Sequence, residues 1–414
     1  LFKGVPKYTR VGPRGTRQTL PAAGKIGASK SPEWEPSGRI ELNAKSMLGL
    51  ALKGAAVATG VGLVGVLTYY VSTYFYLREH WPVSSDIADA ATRNLLYMAT
   101  YYEQVAPNHD KALRVLEKVL HRMVVQKTAS SDSIAVLDVK LRIAECLQCL
   151  GQEEEAARLS YLLLPSLQAL ANSSSTSSIN RETNTMAGPG TLSADALLAR
   201  LAMTLGQACA AVNSNDEAKR ACSIGLQAVK RMKSSLARSF DGEDLASYTA
   251  YDGVNLKEAE LTAQLAKVFY KAGEPQVAET LFQGVLRAVK QHRAQLDLAP
   301  RVISDMRTFK DGWICLDALA MLYLAKMLID SKNTSAALPW IESARKIASD
   351  RVCFERPRCI DCEASLIAQL GRIAESQGDL QKALRRYREA SEYARVYFSD
   401  LHSGLLAEAE RLES

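Results

Sequence analysis

The 414-residue chain reads as an all-α protein: one N-terminal transmembrane helix, then an α-solenoid of about six helix–turn–helix units with long inter-repeat segments. Two observations predict this. Pairs of small residues recur at one fixed internal spacing along most of the chain, and a stretch near the N-terminus carries no charge at all. A third, a basic arm ahead of that stretch, sets the orientation expected for the span.

Residues 1–46 form the arm. It is rich in Pro and Gly (Pro6, Gly12, Pro13, Gly15, Pro21, Pro32, Pro36) and lacks an amphipathic period, so on its own it is expected to stay disordered. Up to Lys53 the chain carries ten Lys and Arg against Glu33, Glu35 and Glu41. Of the 51 basic and 45 acidic residues in all, 41 and 42 remain beyond that point, so the basic excess belongs entirely to the arm. A near-neutral remainder is not the footprint of a nucleic-acid binder.

Residues 47–80 hold the expected span. Gly54 to Leu77 contains no Asp, Glu, Lys or Arg and is long enough for a hydrocarbon core that needs about 20 residues. Tyr69, Tyr70, Tyr74, Phe75, Tyr76 and Trp81 cluster at one end, as an interfacial belt does. Gly54, Ala58, Gly62 and Gly65 share one face and would let a neighbouring helix approach closely. By the positive-inside rule a basic arm stays on the inner side of the membrane, which leaves the residues beyond the span on the opposite side.

Residues 85–414 hold the repeats. Taking the small residue of a first helix and an alanine of a second gives Ala144 with Ala156, Gly206 with Ala218, Ala266 with Ala278, Ala325 with Ala337 and Gly371 with Ala383, each pair 12 apart. Ala99 with Ala112, 13 apart, is a degenerate first copy. A helix pair can pack tightly only where small faces small, and it buries its apolar face only by stacking on copies of itself. Ile143, Leu205, Leu265, Leu324 and Leu370 precede the small residue, and Gly151, Gly273 and Gly378 mark the turns. Leu116, Phe282, Ile341 and Tyr387 lie four residues past the second alanine, whereas Ser160 and Cys222 weaken the second and third copies. The anchors Ala144, Gly206, Ala266, Ala325 and Gly371 are 62, 60, 59 and 46 apart. Extra length must therefore sit in long helices or in loops such as the Ser/Thr-rich segment 172–193.

This ladder resembles the tetratricopeptide repeat (TPR), whose usual period is about 34. The resemblance implies a concave face lined by the first helices. Positions two before the large residue are Leu96, Leu141, Met203, Ala263, Leu322 and Ala368. Those just past the small one are Thr100, Glu145, Gln207, Lys267, Lys326 and Arg372. The Lys and Asn with which some family members clamp chaperone tails are missing from these positions. Lys267, Lys326 and Arg372 fall in register, with Tyr270 one turn on. They form either a groove for an acidic or carboxylate-bearing protein segment or an ordinary solvated face.

Chemistry has little to stand on. His80, His109, His121, His292 and His402 show no metal-binding spacing, and there is no phosphate loop, dinucleotide motif or nucleophile elbow. The sequence therefore points to no enzyme, with no catalytic, cofactor-binding or metal site and no small-molecule substrate. Cys146, Cys149, Cys209 and Cys222 sit in repeat helices and read as small core hydrophobes. Cys353, Cys359 and Cys362 cluster in the link before the last repeat. Cys359 and Cys362 either close a disulfide in an oxidising compartment or stay as buried thiols.

The stretches Asp138–Ala156 and Cys359–Ala383, behind an arm and a span, resemble the TPR adaptor of the mitochondrial inner-membrane i-AAA protease. The resemblance implies a non-catalytic adaptor with its arm in the matrix and its repeats in the intermembrane space. An arm rich in Arg and Gly behind Leu1 is also similar to the remnant of a mitochondrial presequence. The expected partners are other subunits of an inner-membrane complex and the bilayer, with no nucleic acid. Two alternatives share the architecture: a structural accessory subunit of a respiratory complex or ATP synthase, and an outer-membrane import receptor.

Overall fold

A computed structural model of the chain describes residues 68–69, 71–78, 87, 89–125, 130, 133–176, 193–239, 245–298, 307–348, 357–395 and 399–413. The chain divides into two compact units, Leu1–Tyr69 and Tyr70–Ser414. In the first only Thr68 and Tyr69 are described, both helical. The arm and the packing face Gly54, Ala58, Gly62 and Gly65 lie outside the described residues, as does the expected span up to residue 67. Among the described residues, one helix is long and apolar enough to cross a membrane, Gly312–Asp330, and 56% of it is buried inside the protein. It is a core helix of the second unit.

Every described secondary-structure element of the second unit is a helix. After a helical stretch over 71–78 come α1 (Ala90–Thr100), a π-helical turn (Tyr101–Val105), α2 (His109–Val125), α3 (Ile134–Cys149) and α4 (Glu153–Thr176). Next are α5 (Ala194–Ala211), α6 (Asn215–Ser239), α7 (Leu245–Lys271), α8 (Pro275–Leu298), α9 (Arg307–Asp330) and α10 (Thr334–Ala348). Last are α11 (Pro357–Ser376), α12 (Leu380–Ala394) and α13 (Ser399–Glu413). Odd and even helices from α1 to α12 pair, and each pair stacks on the next, first helix against first helix from α3 onward. The anchors explain the pairing: Ala99, Ala112, Ala144, Ala156, Ala218, Ala266, Ala278, Ala325, Ala337 and Ala383 are all wholly buried. The extra length between anchors is largely helix, since α4, α6, α8 and α9 each run 24 or 25 residues.

The turns repeat as faithfully as the anchors. Gly151, Asn213, Gly273, Lys332 and Gly378 each stand seven residues past an anchor, with φ of 74°, 63°, 79°, 62° and 79°. Each closes its helix in the same two-bond manner. At Gly151, its N–H donates to Gln148 at 3.1 Å and Gln152 N–H donates to Leu147 at 3.0 Å. The equivalent long bonds run Ser214 to Cys209, Glu274 to Phe269, Asn333 to Leu328 and Asp379 to Ala374, at 2.8–2.9 Å. This is the Schellman cap, which needs a left-handed residue. In the first helix pair the π turn absorbs one extra residue, which accounts for the spacing of 13 between Ala99 and Ala112.

The core is a chain of overlapping clusters, one joining α1 to α3, another α3 to α7, and so on to α13. This is the nearest-neighbour construction of a solenoid. Helix α13 covers the last pair, burying Leu405 and Ala409 and turning Glu408, Glu410 and Arg411 outward.

Several expectations need correction. The loop expected over 172–193 begins too early, because α4 continues to Thr176. Cys149 is exposed rather than core; it ends its helix at the turn. Cys359 and Cys362 do not lie in a link, since Pro357 opens α11 at a position where its missing N–H costs nothing. The Cys359–Cys362 disulfide is not formed: Cys362 is a thiol, 3% exposed, seated in the core. The disulfide-bonded cysteine is Cys315 of α9, whose partner lies outside the described side chains.

Candidate functional site

The first helices line one face, and the predicted groove residues meet there. Lys267 of α7 and Lys326 of α9 hold their Nζ atoms 5.4 and 4.7 Å from the centre of the Tyr323 ring. That ring is stacked on Phe282 at 5.1 Å and meets Tyr270 edge-on at 5.9 Å. The Tyr270 hydroxyl donates to Asp330, and Arg372 of α11 reaches the other oxygen of Asp330 at 3.0 Å. Burial, then the bond to Asp330, pushes the Tyr270 hydroxyl above its ordinary pKa, so it remains a donor. The four predicted residues thus form one cluster across three successive repeats. Its organisers, Tyr323 and Asp330, stand outside the positions that the repeat pattern marks. Asp330 carries the one usable signal, an acid five past its anchor and opposite the basic stripe.

The same register is tied together further up the face. Arg142 of α3 pairs with Glu103 at 2.7 Å and donates to the Thr100 hydroxyl at 2.8 Å. Burial opposes the Arg142 charge, and Glu103 more than offsets it, so its pKa is raised. Arg200 of α5 bridges Asp138 and Glu145 of α3 at 2.9 and 2.7 Å. Gln148 of α3 donates to Gln207 of α5 at 3.0 Å. Every position just past a small anchor is therefore in contact with another side chain of the face. The apolar positions behind them are core, as their residue types suggest: Leu96, Leu141, Ala263, Leu322 and Ala368 are buried. The face is a self-complementary polar ladder, and an acidic segment would have to compete with Asp330 for Arg372.

A second feature lies on α4 at the turn of the following repeat. A cleft of ≈ 450 Å³ is lined by Glu154, Ala157, Arg158, Tyr161, Leu162 and Val212. Leu162 is 70% exposed, and the Tyr161 hydroxyl sits 3.4 Å from the Cys209 sulfur. Here the ladder residue after the second alanine is small Ser160, so the sequence signal for a surface feature is weak.

Nucleophilic chemistry is disfavoured where the thiols are buried. Burial pushes Cys146 and Cys222 up to about 12, and a protonated thiol is a poor nucleophile. Among the described residues, no group of three or more His, Cys, Asp or Glu is placed to hold a metal.

No family model matches the chain, and no curated protein matches it. Solved TPR structures do. A Podospora anserina kinesin-light-chain protein with nearly identical TPR-like repeats shares 17% identity over 62% of this chain and 94% of its own, at a TM-score of 0.36. The TPR domain of P58(IPK) shares 15% over 78% and 98%, at 0.21. Cut9–Hcn1 of the APC/C shares 14% over 84% and 79%, at 0.19. Superpositions this loose carry no weight by themselves. The buried small-residue ladder, the five left-handed turns and the stacking of first helix on first helix make the described repeats a TPR-like helical solenoid.

Proposed function

We propose that the protein is a non-catalytic interaction scaffold, anchored in the mitochondrial inner membrane by the span expected over residues 47–80, with its repeats in the intermembrane space. There it acts as an adaptor, in the manner of the i-AAA protease adaptor, or as an accessory subunit. The observation that carries the scaffold reading is the stacked solenoid, which presents two long side-chain surfaces and no reactive constellation among the described residues. The disulfide at Cys315 fits an oxidising compartment, and the basic arm ahead of an uncharged run fits a positive-inside single span.

The choice between adaptor and permanent subunit turns on which surface is occupied. The ladder of the first helices is satisfied within the chain, whereas the α4 cleft leaves Leu162 largely open. That favours the second reading, a stable subunit such as one of a respiratory complex or ATP synthase, held by its outer surface. Native-gel separation of detergent-solubilised membranes with mass spectrometry of the band tests both. Stoichiometric co-migration with a fixed complex, lost in Leu162→Asp, supports the subunit. Co-migration with an AAA protease, lost in Lys267→Glu with Lys326→Glu, supports the adaptor. A chain running alone sinks both.

A further inference from the structure

The second helices carry charge on their outer faces: α6 exposes Arg220 and Lys230, α8 exposes Arg287 and Lys290, and α12 exposes Lys382 and Arg385. Helix α4 departs from this. From Leu159 to its end at Thr176 it has no charged residue. Its inner side is set by Ala156, Ser160, Leu163, Leu167 and Ala171, all buried. Opposite them, Arg158, Tyr161, Leu162, Pro165 and Ala169 fall within one face of ~100°, and all five are exposed. A solvated helix puts polar residues on such a face. A contiguous apolar strip there marks an interaction surface.

We propose that this face of α4 seats an amphipathic helix of a partner protein, apolar along one side and basic at the end that overlies Glu154 and Glu155. The proposal rests on the stable-subunit reading above and names what the outer surface holds. The strip runs into the cleft beside Val212. The Tyr161 hydroxyl is held by Cys209, so its ring is a fixed wall, and the ≈ 450 Å³ space admits a large apolar side chain as an anchor. Charge sets the other half of the partner's chemistry. Glu153, Glu154 and Glu155 open α4, and Asp216 and Glu217 open α6. Against them these turns hold Arg158, Lys219 and Arg220, and Lys219 is engaged by Glu274 at 2.7 Å. The two helix N-termini offset only about half an elementary charge each, so this end stays net negative. A second copy does not compensate it: laid antiparallel on α4 it brings Asn172 and Ser173 to this end, and laid parallel it brings the same carboxylates. The strip is also one helix wide and ~16 Å long from Arg158 to Ala169. That suits a single docked helix and falls well short of the ~800 Å² per partner of a standard dimer interface.

The test uses the full chain in native membranes. A benzophenone-bearing residue at Ala169 or at Arg158 reports on the strip, and one at Gln227, on the exposed outer face of α6, gives the background. The adducts are mapped by peptide mass spectrometry. The expected result is that both strip reporters join one segment of one partner chain. That segment should repeat apolar residues at i, i+3 or i+4 and i+7, with Lys or Arg at the end crosslinked near Arg158. Leu162→Asp, or Glu154→Lys with Glu155→Lys, should cut the Ala169 adduct ~tenfold. The urea midpoint should not move, because these side chains are exposed. An adduct joining two copies of α4, or one to a partner segment that is acidic or lacks the helical period, overturns the proposal. If the strip reporters give no protein adduct above Gln227 while the chain still co-migrates with a fixed complex, the docked helix is wrong and the subunit reading survives. If the chain runs alone on the native gel, the subunit reading itself fails.

Discussion

Lys332 sits at φ 62°, where three of the four other repeat turns have glycine and the fourth has asparagine. A left-handed backbone costs a side-chain-bearing residue ~1–2 kcal/mol, and Lys has no short polar group to offset it. Lys332→Gly removes that strain at the expense of a more flexible unfolded chain, a net gain of about 0.5–1 kcal/mol readable as a higher urea midpoint. An unchanged or lower midpoint would mean the turn tolerates Lys for another reason. The small anchors give a second prediction. A Cβ on Gly206 would stand 2.8 Å from the Cys222 sulfur, so Gly206→Ala should cost about 1–3 kcal/mol as overpacking. Adding Cys222→Ala should recover part of it, and a strictly additive double mutant would show that the two do not share one space. At this scale the sequence is most legible where residue type is forced. Burial of the alanine ladder and the turns at Gly151, Gly273 and Gly378 come from size and backbone freedom alone. The equivalent turn at Asn213 is a weaker signal than glycine, and the one at Lys332 is hidden, because Lys has no local preference for a left-handed backbone.

Single helices carry the next level. The twelve-residue spacing is visible in the sequence, but helix lengths are not: α4 continues through Pro165 and past the start of a Ser/Thr-rich stretch, because packing of Leu163, Leu167 and Ala171 outweighs local propensity. Charged contacts between helices are equally invisible, since their partners lie tens of residues apart. One such contact predicts a pH dependence. Glu363 of α11 meets Arg345 of α10 at 3.1 Å, yet it is 5% exposed and its Oε2 has no partner. Burial raises its pKa above the ordinary 4.5, with Arg345 only partly opposing. The folded state therefore holds this proton more tightly than the unfolded chain. Its contribution is fully present below 4.5 and is lost as pH rises through the folded value. Glu363→Gln should flatten that decline, so its stability relative to the parent improves steadily as pH rises above 4.5. Parallel curves for the two proteins would remove Glu363 as the cause.

Across the whole molecule, the solenoid has no central core, so a perturbation should stay near where it is made. Cys315 provides the means to check this. It is disulfide-bonded on α9, the helix whose Ala318 and Leu322 share a cluster with Leu366 of α11. Among the described residues the other cysteines are thiols: Cys146, Cys149, Cys209, Cys222 and Cys362. Alkylation without reduction, then peptide mass mapping, should therefore leave Cys315 unlabelled and identify its partner. Cys315→Ser should cost about 2–4 kcal/mol, and the loss should be local. Amide exchange should speed up in α9 to α12 while α3 to α6 keep their protection, because only adjacent clusters share residues. A uniform rise across all helices would instead mean that the repeats unfold as one cooperative block. Alkylation of Cys315 in protein taken from native membranes would place the repeats in a reducing compartment and argue against the intermembrane space.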